Sequence, residues 1–290
     1  MTRERWLHID GLRIRCLVAG ERGPTIVLLH GGGIDSASLS WRLALEALAP
    51  YYCVYAPDLP GYGASDKPAL AYTTEFFIEF VQKLLDALKL SRVSLIGLSM
   101  GGAIALGVAL RAPQRIEKLV LVDSYGLQER FRAHVLVWAL TRWPKLQDIA
   151  ALPIRYSKVL LRWGMRLLTG NPSFITPELV EEVARWARDP HARRAFARWL
   201  RDEISWHRVK TNFLSELSRI EAPVLLIHGE RDRVVPVEAV RRAQRLFKNA
   251  RLFVISGCGH WAPRERPEEV HRAIVEFLAA PAIAPEVFGS

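Results

Sequence analysis

Five residues in the first half of the chain, Gly97-Leu98-Ser99-Met100-Gly101, have the pattern Gly-x-Ser-x-Gly. They follow an apolar run at 93–96 and precede small residues that are typical of a helix start. Glycine suits both flanking positions, because side chains there would clash with the neighbouring strand and helix. The serine hydroxyl is then held clear of the backbone, and the N–H groups of the helix start favour a developing anion. The motif predicts that Ser99 is a nucleophile for attack on a carbonyl.

A serine nucleophile needs a base, and the base needs a carboxylate that orients it. Asp232 follows an apolar run at 223–227, and His260 lies in a glycine-rich loop after another run at 252–255. The chain order serine, aspartate, histidine is typical of one family of folds. We therefore predict that Ser99, Asp232 and His260 form a catalytic triad.

Other ionisable side chains near these positions receive different interpretations. Asp123 ends an apolar run at 119–122, so it is the rival carboxylate, although a hydrogen-bonding role suits it better; Glu230 is a weaker rival. Cys258 lies two residues before His260 but has no base assigned to it, so we interpret it as a packing residue. His30 precedes glycines and is expected to form structural hydrogen bonds.

A site for the oxyanion is expected directly after the apolar run at 25–29, in His30-Gly31-Gly32-Gly33. Glycines let the substrate approach the backbone closely, and backbone N–H groups can then point at a tetrahedral oxygen. We predict that the N–H groups of Gly32 and Met100 are the donors, with Gly31 as the alternative to Gly32. Each such donor typically lowers the barrier by roughly 3–4 kcal/mol.

Outside residues 125–210 the chain alternates between short apolar strands and helical patterns. Strands without polar alternation indicate a sheet covered on both faces, and hence a parallel, doubly wound α/β fold. Asp10-Gly11 interrupts an alternating run and predicts a hairpin at the N-terminus. The predicted later strands are 25–29, 52–56, 93–96, 119–122, 223–227 and 252–255, and the predicted helices are 37–48, 76–88, 102–110, 237–247 and 268–278.

Residues 125–210 interrupt this alternation. The segment has helical spacing of its apolar residues, no β-branched run, and several prolines that divide it into short helices. We predict an all-helical cap over the carboxyl edge of the sheet, where ligands bind in open α/β folds. The predicted core then consists of residues 1–124 and 211–290.

Charge and composition narrow the function further. The net charge is +10, but 125–210 holds 16 Lys and Arg against 8 Asp and Glu, so the rest of the chain is nearly neutral and a nucleic-acid partner is not expected. The N-terminus lacks the apolar region of a signal peptide, and no apolar run has the ~20 residues of a membrane span. Three cysteines without metal-ligand spacing fit a cytoplasmic protein.

The cap segment also contains six of the nine tryptophans. Arginine and tryptophan on helices can attract an anionic membrane surface. We favour the alternative, in which the tryptophans face the core and the acyl pocket while the arginines are solvated. Oligomerisation stays open.

The motifs together resemble the α/β-hydrolase superfamily over residues 5–280, apart from the cap. The matching segments are His30-Gly31-Gly32-Gly33, Asp58-Leu59-Pro60-Gly61-Tyr62-Gly63-Ala64-Ser65, Gly97-Leu98-Ser99-Met100-Gly101-Gly102, Gly229-Glu230-Arg231-Asp232 and Gly259-His260. The resemblance implies a mostly parallel sheet of eight strands, a helical cap and a Ser-His-Asp hydrolase that needs no cofactor or metal. Haloalkane dehalogenases and epoxide hydrolases of this superfamily use an aspartate nucleophile. Because Ser99 takes the nucleophile position here, we expect neither of these two activities.

Within the superfamily, the glycines after His30, the segment Ser99-Met100-Gly101-Gly102, Trp261 after His260 and the stretch 172–180 resemble the meta-cleavage product hydrolases, which split C–C bonds in dienoate acids. In such an enzyme the cap arginines could hold the substrate carboxylate.

Two departures from that resemblance favour a carboxylesterase acting on a small-molecule ester of small to medium acyl chain. Leu98 stands where those enzymes usually carry asparagine, and Asp123-Ser124 replaces a glycine-rich turn. We expect Gly33, Leu98 and Trp261 to contact the substrate. A non-catalytic ligand-binding protein on the same fold is the alternative from another class, because function lies in the site and not in the fold.

Overall fold

A central sheet of eight strands organises the computed structural model, which describes residues 1–131, 134–143, 156–189, 191 and 193–280. The strand order is β1-β2-β4-β3-β5-β6-β7-β8. The first two strands form the predicted hairpin, and β2 also pairs with β4 in the antiparallel sense, while the other pairs are parallel. The strands are β1 (Arg3–Ile9), β2 (Leu12–Ala19), β3 (Thr25–Leu29), β4 (Cys53–Pro57), β5 (Val93–Leu98), β6 (Ile116–Val122), β7 (Val224–Gly229) and β8 (Ala250–Ile255).

Helices cover both faces of this sheet, as the continuous apolar strands predicted. Apolar residues of α1 and α10 pack on one face, and those of α2, α3 and α8 pack on the other. The doubly wound α/β fold is therefore confirmed. The α-helices are α1 (Ala37–Leu48), α2 (Thr74–Ala87), α3 (Met100–Arg111), α4 (His134–Arg142), α5 (Lys158–Leu168), α6 (Pro177–Ala187), α7 (Arg194–Glu203), α8 (Val237–Gln244), α9 (Ala262–Glu265) and α10 (Pro267–Ala279).

The strands nearest the site extend further toward their carboxyl ends than the apolar runs predicted. β5 continues to Leu98 and β7 continues to Gly229. Glycines inside both extensions contribute no apolar side chain, so the pattern of apolar residues stops early although the backbone ladder continues. The short helix α9, which begins after Trp261, was not predicted.

Helices also occupy the described part of the segment 125–210. They are α4 to α7, and the described residues there add a short 3-10 helix at Pro172–Phe174 and an isolated bridge between Ile204 and Val209. A buried carboxylate ties this segment to the core: Glu203 accepts hydrogen bonds from the side chains of Thr74, Tyr125 and Thr211. In the described chain, every helix is too short or too polar to cross a membrane.

Candidate active site

The turn between β5 and α3 holds Ser99 in a strained backbone conformation. Its φ is +51° and its ψ is −115°, outside the regions that residues with a side chain prefer. A Cβ on Gly97 would lie 2.2 Å from the carbonyl oxygen of Gly101, and a Cβ on Gly101 would lie 2.5 Å from that of Leu29. Both glycines are therefore required for this turn, as predicted.

Three side chains predicted from the sequence meet at the carboxyl end of the sheet. The Oγ of Ser99 lies 2.8 Å from Nε2 of His260, and Nδ1 of His260 lies 2.7 Å from Oδ2 of Asp232. The other carboxylate oxygen of Asp232 accepts backbone N–H groups from Val234 and Val235, at 2.7 and 2.9 Å. These hydrogen bonds together fix the carboxylate and the imidazole ring relative to the hydroxyl.

The charge of Asp232 favours His260 as the base in this series of hydrogen bonds. Burial lowers the pKa of His260, but the charge and hydrogen bond of Asp232 outweigh it, so the pKa lies above its usual value. Burial likewise raises the pKa of Asp232, and the attraction of His260 outweighs it, so that pKa lies below its usual value. A lowered pKa favours the ionised carboxylate, which would stabilise an imidazolium at His260 if the ring accepted a proton.

The rival groups have other partners. Asp123 is fully buried and accepts N–H groups from Gly229 and Ala262 at 2.9 and 3.0 Å. Burial raises its pKa to about 6, against the opposing charge of His228. Asp123 thus holds the loops around the site and does not hydrogen-bond His260, as the sequence indicated.

The remaining candidates also keep structural roles. Glu230 is exposed and accepts hydrogen bonds from Ser256 and Gly257. His30 accepts the N–H of Leu59 with Nε2, at 3.0 Å, while its Nδ1 lies 2.8 Å from the carbonyl oxygen of Gly31. Cys258 is buried, and burial raises the pKa of its thiol, which suits a packing residue.

The predicted alternative oxyanion donor, the N–H of Gly31, is contradicted by its own hydrogen bond. Its N–H donates to Oδ2 of Asp35 at 2.8 Å, so it is already occupied. Asp35 also accepts from Ser36 and Ser40, so it fixes the loop from within. The N–H of Gly32 follows in the same loop. That of Met100 lies in the first turn of α3, where N–H groups have no acceptor in the helix.

A cavity of about 240 Å³ opens onto Ser99 and His260. The core contributes Gly31, Gly32, Gly33, Ile34, Asp35, Leu98 and Trp261, and the cap contributes Leu161, Gly164, Met165, Leu168 and Val183. The three residues expected to contact substrate therefore line the cavity. The indole Nε1–H of Trp261 donates to Ser40 at 3.0 Å, so its polar atom is occupied outside the cavity.

Ionisable groups are scarce in this lining. Within the described residues, Asp35 and His260 are the lining side chains that can carry charge, and no lysine or arginine is among them. None of the described cap arginines lines this cavity, and the expectation that cap arginines hold a substrate carboxylate stays a prediction. The cap wall is apolar because α5 and α6 turn Leu161, Met165 and Val183 toward the cavity.

The cap tryptophans do not all face inward. Trp199 is buried and donates to Thr74, but Trp143 and Trp163 are each 60% exposed and Trp206 is 47% exposed. The interpretation that the cap tryptophans line the core and acyl pocket is wrong for these three. Trp261, which lies in the core, is the tryptophan that lines the cavity among the described residues.

Contacts between the cap and the histidine loop were also missed. The N–H of His260 donates to the carbonyl oxygen of Leu168 at 2.7 Å. The buried carboxylate of Glu265 accepts N–H groups from Gly170 and Asn171 in the cap and from Gly259 beside the histidine. The cap partners lie far from His260 and Glu265 in sequence, so no local motif could have revealed these contacts. Asp35 had a weak signal, since it precedes Ser36, the N-cap of α1.

Asp123, His228 and Asp232 are buried and close enough for three ligand atoms to meet a cation. Their oxygens already accept backbone N–H groups or the imidazole of His260, and Nε2 of His228 lies 2.8 Å from the carbonyl oxygen of Val235. A cation there would compete with these partners for the carboxylate oxygens, although Nδ1 of His228 has no hydrogen-bond partner among the described residues. The cluster is better suited to positioning His260.

With the fold and the site described, the family is clear. The model of the alpha/beta hydrolase fold family matches residues 24–267, and the chain belongs to this family. Membership supports a hydrolase and confirms the predicted α/β-hydrolase fold with its eight-stranded, mostly parallel sheet.

One sequence relative and two solved structures show which proteins this chain resembles. The chain is 30% identical over 285 residues to a 2-hydroxy-6-oxo-6-(2'-aminophenyl)hexa-2,4-dienoic acid hydrolase of Metapseudomonas resinovorans, covering 95% of this chain and 91% of the relative. It resembles the structure of a meta-cleavage product hydrolase of Pseudomonas fluorescens IP01, with a TM-score of 0.80, 26% identity and coverage of 94% and 97% of the two chains. It also resembles a bacterial membrane phospholipase A, with a TM-score of 0.77, 28% identity and coverage of 96% and 86%.

Proposed function

We propose that this hydrolase cleaves carboxylic esters with an apolar acyl group through an acyl-enzyme on Ser99. The observation that carries this proposal is the apolar cavity beside Ser99, whose described lining contains no lysine or arginine. A buried carboxylate without a cation or a set of hydrogen bonds is costly, so an acidic substrate fits this cavity poorly. A neutral acyl chain gains from burial against Leu161, Met165 and Val183.

The hydrogen-bonded chain supports a two-step reaction. His260 removes the proton of Ser99 as its Oγ attacks the ester carbonyl, and Asp232 stabilises the imidazolium. The N–H groups of Gly32 and Met100 hold the tetrahedral oxyanion. His260 then gives its proton to the leaving alcohol, which leaves an acyl group on Ser99. A water molecule, deprotonated by His260, attacks this ester and releases the acid and the free serine.

A C–C hydrolase acting on meta-cleavage dienoate acids is the second candidate function. The named relatives favour it, because the dienoic acid hydrolase matches this chain over nearly its full length. Trp261 after His260 and the glycine loop at 31–33 are also shared features of the resemblance. Two apolar side chains argue against this candidate. Leu98, which is 2% exposed, and Val183 both line the cavity and cannot pair with a substrate carboxylate.

A direct competition between substrates tests the ranking. Purified protein is assayed with p-nitrophenyl esters of increasing acyl length and with a 2-hydroxy-6-oxo-hexa-2,4-dienoate. We expect kcat/KM for the preferred ester to exceed that for the dienoate by at least about tenfold, since the described lining of the cavity offers no lysine or arginine to pair with the acid. A higher kcat/KM for the dienoate would overturn the ester proposal in favour of C–C cleavage.

Covalent labelling of Ser99, combined with the substrate assay, tests whether the chain is an enzyme. A fluorophosphonate reagent should label the wild-type protein at Ser99 and leave Ser99→Ala unlabelled. An unlabelled wild-type protein with no turnover of any substrate would favour the ligand-binding alternative.

A further inference from the structure

Helix α5 presents apolar side chains on two different faces. Leu161, Met165 and Leu168 line the cavity, as described above. On the far side of the helix, Val159, Trp163 and Leu167 recur every fourth residue and are 78%, 60% and 46% exposed, with Leu160 beside them at 41%. A helix whose outward face is this apolar is typical of an interaction surface. We name Val159, Leu160, Trp163 and Leu167 the outer stripe.

A row of basic side chains runs along one edge of the outer stripe. Lys158, Arg162 and Arg166 also recur every fourth residue, and α5 contains no acidic residue. Lys158 forms an ion pair with Glu181 of α6, while Arg162 and Arg166 have no ion pair with any described residue. Among the residues that the structure describes, the basic row therefore keeps an unneutralised positive charge.

Charges on the neighbouring helix do not reverse this balance. Lys158, Arg162 and Arg185 line a surface groove together with Glu178 and Glu181. The groove thus carries three cations against two carboxylates, and Arg166 adds a further exposed cation on α5. The surface beside the outer stripe is positive as a whole.

An apolar stripe with a tryptophan and a flanking basic row has the properties of a helix that lies in the interface of a lipid bilayer. The apolar side chains would enter the boundary between headgroups and acyl chains, and the basic row would face anionic headgroups. A second copy of this chain is a poorer occupant. Two α5 helices in contact would bring two basic rows into one interface, and neither helix carries a carboxylate to neutralise them.

We infer that the outer stripe and basic row of α5 dock this protein onto an anionic phospholipid surface. The partner is the membrane surface itself, and the inference does not depend on which bond the site cleaves. Because the same helix forms the cap wall of the cavity, docking would bring the cavity close to the lipid.

Vesicle binding tests this inference with the full chain. Wild-type protein is sedimented with vesicles of phosphatidylcholine alone or of equal parts phosphatidylglycerol and phosphatidylcholine, at low and high salt. We expect at least about tenfold more binding to the anionic vesicles, and loss of that excess at high salt, because several basic residues contribute. Brominated lipids should quench tryptophan fluorescence in wild type and quench it less in Trp163→Phe.

Two pairs of variants separate the apolar and the charged contributions. Trp163→Ser/Leu167→Ser should reduce binding to both kinds of vesicle, and Arg162→Gln/Arg166→Gln should remove most of the preference for anionic vesicles. The matched controls are Tyr51→Ser/Leu246→Ser, which are exposed apolar residues of the core, and Arg92→Gln/Arg251→Gln, which are exposed at the amino ends of strands. Neither control pair should change binding by more than about twofold.

Three outcomes would overturn the inference: no sedimentation of wild type with anionic vesicles, equal loss of binding in the controls, or a dimer in solution that Trp163→Ser/Leu167→Ser dissociates. Hydrolysis of a p-nitrophenyl ester in buffer without vesicles should be the same in wild type and all four variants. Failure of that assay in wild type would count against the proposed function and not against the docking surface.

Discussion

Two walls enclose the cavity at Ser99, one from the core and one from the cap, and different forces hold their side chains. In the core wall, hydrogen bonds fix each polar group: Ser99 to His260, His260 to Asp232, and Gly31 to Asp35. In the cap wall, Leu161, Met165 and Val183 are held by packing alone. Hydrogen bonds specify one geometry, whereas apolar packing tolerates changes of side chain at similar volume.

This difference separates the chemistry from its specificity. Under the proposed function, the core wall supplies the groups that act on a carbonyl beside Ser99. The cap wall would then limit the length and charge of the group that can be placed there. Glu265 and the bond from His260 to Leu168 join the two walls, so the cap can also influence the position of the histidine.

The largest effect is expected in the core wall, from Ser99→Ala. Loss of the nucleophile should reduce kcat/KM for the best ester on the order of 10⁴- to 10⁶-fold. Ser99→Gly should be equally inactive but more stable than Ser99→Ala by about 1 kcal/mol, because glycine adopts a φ of +51° without strain. Ester assays and urea unfolding check both. Residual activity within a hundredfold of wild type would contradict the role of Ser99.

The second-largest effect is expected from Glu265→Ala, a variant that tests the connection between the core wall and the cap wall. In Glu265→Ala the N–H groups of Gly170, Asn171 and Gly259 lose their acceptor, which should lower the free energy of unfolding by about 2–4 kcal/mol. Because the loop of His260 is released as well, kcat should fall more than KM rises. Chemical denaturation and steady-state kinetics measure the two quantities.

Glu269→Ala is the matched control for Glu265→Ala. Glu269 is a half-exposed glutamate that forms an ion pair with Arg266, at 3.8 Å. It should change stability by less than about 0.5 kcal/mol. If Glu265→Ala behaved like this control, the two walls would be independent.

The core wall could be predicted from the sequence because short segments determine it. Gly97 and Gly101 are needed within one turn, and Asp232 and His260 each follow directly after a strand of the sheet. Parallel strands bring their carboxyl ends to one edge, so positions distant in sequence become predictable neighbours. The choice between Gly31 and Gly32 was not predictable, because it depends on the side-chain orientation of Asp35.

The cap wall could not be predicted to the same depth. Helical spacing and prolines indicated helices between 125 and 210, but α5 has apolar residues on both faces. Spacing alone therefore could not decide whether Trp163 or Met165 would face the cavity. The contacts of Glu203 with Thr74 and of Glu265 with Gly170 join residues about a hundred positions apart, and no local pattern records them.

A smaller effect is expected in the cap wall, from Met165→Ala. Removing this buried side chain lengthens the cavity, so kcat/KM for a long acyl ester relative to a short one should rise about three- to tenfold. Ile175→Ala is the control, since Ile175 is buried in the same cap cluster but does not line the cavity. If kcat/KM depended on acyl length in Met165→Ala as it does in wild type, or changed equally in both variants, Met165 would not limit the length of the acyl group.

The smallest effect concerns charge behind the core wall. His260 must be neutral to accept the proton of Ser99, so activity falls as the pH drops through its pKa. Asp232 holds that pKa above its usual value, and the charge of Asp123 raises it further. Asp123→Asn removes this second charge. The midpoint of the acid limb of kcat/KM should therefore move to lower pH, as a pH profile with an ester substrate would measure.

The size of this change depends on the charge that Asp123 carries where His260 titrates. Burial raises the pKa of Asp123 to about 6, which is still below the raised pKa of His260, so Asp123 is mostly ionised there and the midpoint should move by roughly half a pH unit. Glu230→Gln is the matched control. Its carboxylate also lies at the end of β7 but is exposed, and solvent screens its charge from His260. A midpoint that moves upward in Asp123→Asn, or equally in both variants, would mean that Asp123 acts on His260 through loop geometry and not through charge.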